Sequence, residues 1–166
     1  GKVAIKEGYD VKVSEVHGMS QRGGSVVTYV KYGDKVYSPI IDRGEADLIL
    51  AFEMLEAMRA LPYLKKGGKM IANTQKMNPM PVITGAMEYP ENIEEKLSAK
   101  INLQAVDALS LAEKAGTIKA VNVVLIGLLA KSMDVDKNVW IDVIKETVPE
   151  KFLDVNIKAF ELGYEL

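Results

Sequence analysis

The chain opens with Val3-Ala4-Ile5-Lys6-Glu7, which reads as the last turns of a helix, with Gly8 placed as the C′ glycine that ends it. From Asp10 to Val16 apolar and polar positions alternate, with Val11 and Val13 set against Lys12 and Ser14, and this predicts a strand. Ser25–Tyr32 (SVVTYVKY) is dense in β-branched and aromatic residues and predicts another. Gly33-Asp34-Lys35 reads as a turn, and Val36–Ile41 as a short strand or extended arm. Ala46–Phe52 is continuously apolar after Asp47, the pattern of a central parallel strand covered on both faces. Glu53–Leu61 predicts an amphipathic helix that stops near Pro62. Lys65-Lys66-Gly67-Gly68 reads as a turn, and Lys69–Ala72 as the next strand, with Asn73 at its C-terminal end. The stretch Thr74–Pro81 fits neither periodicity and reads as a loop, followed by a brief strand at Val82–Thr84. Ile93–Ala99 predicts a helix and Lys100–Leu103 a strand.

The remainder is helical. Asp107–Ala115 closes at Gly116, and Lys119–Ser132 is apolar on nearly every side, which predicts a buried helix. Lys137–Thr147 and Glu150–Leu162 are amphipathic and separated by Pro149, with the last helix ending at Gly163. Strands alternating with helices predict an α/β fold: a three-layer α/β/α domain, residues 1–166, with a mostly parallel, doubly wound, Rossmann-like sheet and a helical C-terminal third. The expected central strands are Val11–Val16, Ser25–Tyr32, Ala46–Phe52 and Lys69–Ala72; their order is not legible.

Composition narrows the chemistry. With 166 residues and 48% hydrophobic content, the chain can bury a sizeable core. A net charge of −2, from 21 basic and 23 acidic residues, leaves no electrostatic footprint for nucleic acid or an anionic membrane. The longest apolar run, Ala120 to Ala130, is too short to span a bilayer. There is no cysteine, hence no disulfide, no thiolate nucleophile and no cysteine-ligated zinc or iron–sulfur cluster. That composition suits a reducing, cytoplasmic setting.

The segment with the most unusual composition is EVHGMSQRGGS, Glu15 to Ser25, set between two predicted strands. It holds the sole histidine, His17, followed by Gly18, Gln21, Arg22, Gly23 and Gly24. Paired glycines allow positive φ and close approach of another backbone, though Gly-Gly is also ordinary punctuation between strands. His17 has no second histidine or carboxylate pair nearby in sequence, so a structural or interface hydrogen bond suits it better than catalysis.

HGMSQRGGSVVTYVKYG, from His17 to Gly33, resembles the signature of the gamma-type domain of 2-oxoacid:ferredoxin oxidoreductases. The likeness continues through SPII at Ser38–Ile41, ADLILAFEMLEAMRALPYLKKGGKMIAN at Ala46–Asn73 and VNVVLIGLLAK at Val121–Lys131. The run from His17 to Gly24 is most similar to the indolepyruvate type. Family members usually begin with a strand and a glycine-rich loop of the kind Gly-x-Gly-Gly-Gln-Gly. This sequence has neither and starts inside the helix that follows, so the resemblance implies a missing leading segment.

The family's reaction is oxidative decarboxylation of a 2-oxoacid with coenzyme A, giving an acyl-CoA, carbon dioxide and electrons for ferredoxin. The resemblance assigns thiamine diphosphate, magnesium and the iron–sulfur clusters to a larger alpha subunit in a hetero-oligomer. This chain, with no cofactor of its own and no catalytic or metal residues, would dock there through His17, Gly18, Gln21, Arg22, Gly23 and Gly24, with coenzyme A a further possible contact. Pyruvate, 2-oxoisovalerate and 2-oxoglutarate enzymes are the alternatives within the family. A stand-alone nucleotide- or CoA-binding module is the alternative outside it, disfavoured because no strand, glycine loop and helix remain to cradle a phosphate. Gly33-Asp34-Lys35 is a turn and not the Gly-Asp-Gly of a thiamine site. Glu53 and Glu56 read as acids at a helix start, Met77 and Met80 as loop methionines able to meet a partner, and Lys65-Lys66 as a solvated pair.

Overall fold

The computed structural model of the chain describes residues 1–18 and 26–166. Its first element, α1 (Lys2–Lys6), ends as expected, with Gly8 at φ +88° just beyond the Glu7 cap. Lys6 meets Glu146 at 2.6 Å and Lys2 donates to Thr147 Oγ1 at 3.0 Å, tying α1 to a helix near the other end of the chain.

β1 (Asp10–His17) and β2 (Val26–Gly33) follow, and here the structure corrects the expected topology. They are not central strands of the parallel sheet. They pair with each other, antiparallel, from Asp10 opposite Gly33 to His17 opposite Val26, and form a separate two-stranded sheet. The reason is the length of the connection. Only positions 18 to 25 lie between them, whereas a parallel pairing needs a crossover of roughly a dozen residues or more. A two-stranded ribbon is marginal alone, and this one is braced from outside. Tyr9 packs on Tyr32 and Tyr29 lies 6.5 Å from Tyr63, centroid to centroid. Asp10 Oδ2 accepts the Val36 N–H at 2.9 Å, and Lys31 donates to the Ile40 carbonyl at 3.1 Å. Residues 36–41 are thus an extended arm along the ribbon and not a strand.

The parallel sheet is made of β3 (Ala46–Ala51), β4 and β5, in that order. After β3 comes α2 (Met54–Ala60), a 3₁₀ turn at Leu61–Tyr63 containing Pro62, and then β4 (Leu64–Asn73). β4 runs straight through Lys65-Lys66-Gly67-Gly68, which the sequence suggested as a turn. The two glycines are absorbed by an irregularity in its pairing with β3: Ala46 pairs with Leu64, but Leu48 pairs with Lys69. Gly67 sits at φ +82°, and a Cβ on Gly68 would stand 2.9 Å from the Asp47 carbonyl.

Beyond β4, α3 (Met80–Ile83) occupies the place where a brief strand was expected. Pro81 explains it: proline in the first turn has its φ preset for a helix and loses no intrahelical bond there. Next come α4 (Ile93–Ser98) and β5 (Asn102–Val106), the latter displaced toward the C-terminus from its expected Lys100–Leu103.

α5 (Ala108–Ala115) is capped by Asp107, which accepts the Ser110 N–H at 3.0 Å, and closes at Gly116. α6 (Val121–Lys131) follows a 3₁₀ turn at Ile118–Ala120; α7 (Lys137–Thr147) has its expected bounds. α8 (Leu153–Tyr164) follows a further 3₁₀ turn at Glu150–Phe152 and runs past Gly163. Gly163 is no terminator. A Cβ there would lie 2.0 Å from the Val124 carbonyl, and one on Gly127 would lie 2.2 Å from the Phe160 carbonyl. Both glycines exist so that the backbones of α6 and α8 can touch.

β4 divides the core by side-chain alternation. Ile71 is fully buried against α5, α6 and α8, beside Phe160, Leu125 and Leu128. Met70 and Ala72 point the other way, to α2 and α4, beside Met54, Ala57, Ile93 and Leu97. The sheet is therefore covered on both faces, which is the α/β layering the sequence predicts, with three parallel strands at its centre.

Candidate functional site

Two places on the molecule are candidate sites, the end of the β1–β2 ribbon and the C-terminal edge of the parallel sheet.

At the ribbon's end the structure describes His17 and Gly18. The other four residues of the expected site, Gln21, Arg22, Gly23 and Gly24, lie outside the described residues. His17 is exposed, pairs across the ladder with Val26, and has Nδ1 3.2 Å from the Gly18 carbonyl. Among the described residues, a Cβ on Gly18 would meet nothing within 4 Å. The ribbon leading to this end carries apolar side chains into solvent. Val13 is 57% exposed and faces Val30, and Val16 is 56% exposed and faces Val27. Cross-strand valine pairs of this kind normally pack under another layer.

The second place was not legible as a site. Glu53, read from the sequence as an acid at a helix start, is there and is 3% exposed. It sits at the end of β3 as the N-cap of α2, and its Oε2 accepts the Glu56 N–H at 3.0 Å. Its Oε1 accepts the Met77 N–H at 3.1 Å and the Tyr89 hydroxyl. Burial, and then the Glu53 carboxylate beside it, push the Tyr89 phenol above its ordinary value. One strand over, at the end of β4, Asn73 is fully buried. It donates to the Phe52 carbonyl at 3.2 Å and accepts the Ala108 N–H at 3.1 Å, joining β3, β4 and α5. The available signal was positional: a polar residue directly after an apolar strand and before a helix is where a cap belongs. Tyr89, far along the chain, gave none.

Between these anchors Met77, Met80, Ile83 and Met87 are all exposed. Lys65 pairs with Asp47 at 2.9 Å, while Lys66 and Lys100 line a shallow cleft at the opposite, N-terminal edge of the sheet. Among the described residues no group of three or more His, Cys, Asp or Glu side chains could hold a metal ion. No described helix is long and apolar enough to cross a membrane. The donor set does not fit an iron–sulfur cluster, since the sequence has no cysteine and one histidine.

Comparison with known proteins gives this architecture a family. The model of the pyruvate ferredoxin/flavodoxin oxidoreductase family matches residues 1–166. The indolepyruvate oxidoreductase subunit IorB of Thermococcus kodakarensis is 44% identical over 171 residues, covering 98% of this chain and 84% of that protein. Its counterpart in Pyrococcus horikoshii is 45% identical over 169 residues, with the same coverage. Among solved structures, a pyruvate oxidoreductase subunit of Thermotoga maritima superposes with a TM-score of 0.71 at 20% identity, covering 98% of this chain and 83% of that one. A likeness that close in shape and that remote in sequence speaks to the fold, while the alignments to the two indolepyruvate oxidoreductase subunits extend over 98% of the chain. The chain belongs to the pyruvate ferredoxin/flavodoxin oxidoreductase family.

Proposed function

We propose that this chain is the small subunit of an indolepyruvate oxidoreductase. It supports oxidative decarboxylation of aryl 2-oxoacids to acyl-CoA, with the electrons passed to ferredoxin. The observation that carries the reading is the 44–45% identity, over 98% of the chain, to two subunits of that name. Residues 1–166 form one gamma-type domain, and the complex works in the cytoplasm.

The division of labour follows from the side chains available. Decarboxylation of a 2-oxoacid needs an electron sink, and electron delivery to ferredoxin needs a redox centre. A chain without cysteine has no thiolate for the clusters. Thiamine diphosphate, magnesium and iron–sulfur clusters therefore reside on a larger alpha subunit, and this chain binds that subunit. The exposed valines of β1 and β2, with Val13 and Val30 on one face of the ribbon and Val16 and Val27 on the other, supply apolar surface for the contact. The segment from His17 to Gly24 supplies polar recognition. Arg22 offers five donors in a planar fork suited to a carboxylate or a phosphate of coenzyme A. Gln21 can orient the same group, and Gly18, Gly23 and Gly24 keep side chains out of the way of an approaching backbone or pantetheine arm.

The test is to express the chain with its larger subunit, purify the complex, and compare ferredoxin reduction with indolepyruvate, pyruvate, 2-oxoisovalerate and 2-oxoglutarate. Indolepyruvate is expected to give the highest kcat/KM. A higher value for any of the other three overturns the substrate assignment. Arg22→Ala is expected to weaken assembly, or raise the KM for coenzyme A, by the equivalent of about 2–5 kcal/mol while leaving the fold intact. Wild-type assembly and wild-type kinetics in that variant would reduce the segment to a plain turn.

A further inference from the structure

Two residues at the neck of one loop bond the same oxygen atom, while the Tyr89 ring also packs on the cluster of Met54, Ile93 and Leu97. Met77 and Tyr89 both donate to Glu53 Oε1, although residues 78–88 lie between them. Among the described residues, the hydrogen bonds of residues 78–88 run within the segment or just behind it. The Val82 and Ile83 N–H groups donate to the Pro79 carbonyl at 2.9 and 3.1 Å, Thr84 to Met80 at 2.9 Å, and Met87 to Pro81 at 3.0 Å. Met80, Ile83 and Met87 point outward, each at least 64% exposed. A short surface segment with joined ends and internal bonding is an Ω-loop.

The clasp is separate from the loop and better buried than it. Glu53 lies between the end of β3 and the start of α2, and its other oxygen, Oε2, accepts the Glu56 N–H, a bond made outside the loop. A buried carboxylate is a strong acceptor, and losing its partners leaves it unsatisfied. Closure thus depends on a small set of contacts at the neck, joined by Lys76, whose ammonium stands 5.8 Å from the Tyr89 ring centroid.

We propose that Glu53 is a positioning residue, the clasp of a movable loop, and that residues 78–88 swing as one unit when the bonds from Met77 and Tyr89 to its carboxylate break. The loop flanks the C-terminal ends of β3 and β4, the edge where open α/β sheets receive ligands and partners. Its opening changes access to that edge without disturbing the sheet.

The experiment uses the intact protein in the assembly in which it purifies. Tyr89→Phe keeps the ring and removes one clasp bond; Glu53→Ala removes both; Asp107→Ala, which uncaps α5 instead, is the control. Trypsin cleavage after Lys76 and exchange of the Met77 amide are expected to rise about tenfold in Tyr89→Phe and further in Glu53→Ala. The amides of Val82 to Met87 and of β4 are expected to stay at wild-type rates, and Asp107→Ala to leave cleavage after Lys76 at the wild-type rate. If Glu53→Ala unfolds the chain, Tyr89→Phe decides the matter alone. Unchanged cleavage and exchange at Lys76 and Met77 would overturn the clasp. Equal loss of protection across Val82 to Met87 would overturn movement as a unit, because the loop would then be melting.

Discussion

Three carboxylates at element junctions order much of the polar structure, and each has a different partner. Glu53 holds a tyrosine hydroxyl and two backbone amides. Asp107 caps α5 through Ser110. Asp10 joins the ribbon to the arm, bonding Lys12 at 2.6 Å and the Val36 N–H at 2.9 Å. The Lys12 ammonium first, and then the Val36 amide, hold the Asp10 carboxyl below its ordinary 3.8, with Lys35 adding to the pull. A carboxyl lowered in the folded state stabilises the fold above its unfolded value, and that contribution is lost as pH falls through the lowered one. Thermal unfolding followed from neutral pH to about pH 2 should therefore show an acid limb that is shallower in Asp10→Asn than in the wild type. An identical acid limb would mean that the pair with Lys12 does nothing for stability. Asp107 stands at the start of a helix legible in the sequence, where an acid commonly caps, whereas the bond from Asp10 to the arm is long-range and was not legible. Nor was the burial of Glu53, because it depends on Tyr89, which is distant in sequence.

At the scale of elements, local pattern read the helices well and misjudged how the strands assemble. Every strand of the parallel sheet falls within or beside an apolar run recognisable in the chain. β1 and β2 were also recognisable as strands, but their pairing is a matter of connection length, which alternation does not encode. Glycine misled twice. Gly67-Gly68 looked like a turn and is an irregularity inside β4; Gly163 looked like a helix stop and is a contact. Gly163→Ala tests the second reading. A methyl group placed 2.0 Å from the Val124 carbonyl forces α6 and α8 apart, and the loss should be at the upper end of the roughly 1–3 kcal/mol usual for overpacking, seen as a lower midpoint in urea. Gly8→Ala lies at φ +88° in open space and should cost only about 1 kcal/mol. A loss in Gly163→Ala no larger than in Gly8→Ala would show that the contact with α6 does not require glycine there.

For the whole molecule, the family was legible because several motifs, His17 to Gly33 among them, run in one order along nearly the entire chain. The helices on both faces of the parallel sheet were legible from periodicity alone. What periodicity could not supply was the ribbon standing apart from that sheet, with valines open to solvent and the His17–Gly24 segment at its end. Such a surface makes sense on a subunit that completes itself against another chain, and it links the fold to the proposed role. The most direct test is to reconstitute the larger subunit with and without this chain and measure the rate of indolepyruvate-dependent ferredoxin reduction in the presence of coenzyme A. The account predicts that this chain alone has no activity, that the two proteins elute together as one hetero-oligomer, and that full activity appears only in that complex. Full activity from the larger subunit without this chain, or failure of the two to associate, would contradict it.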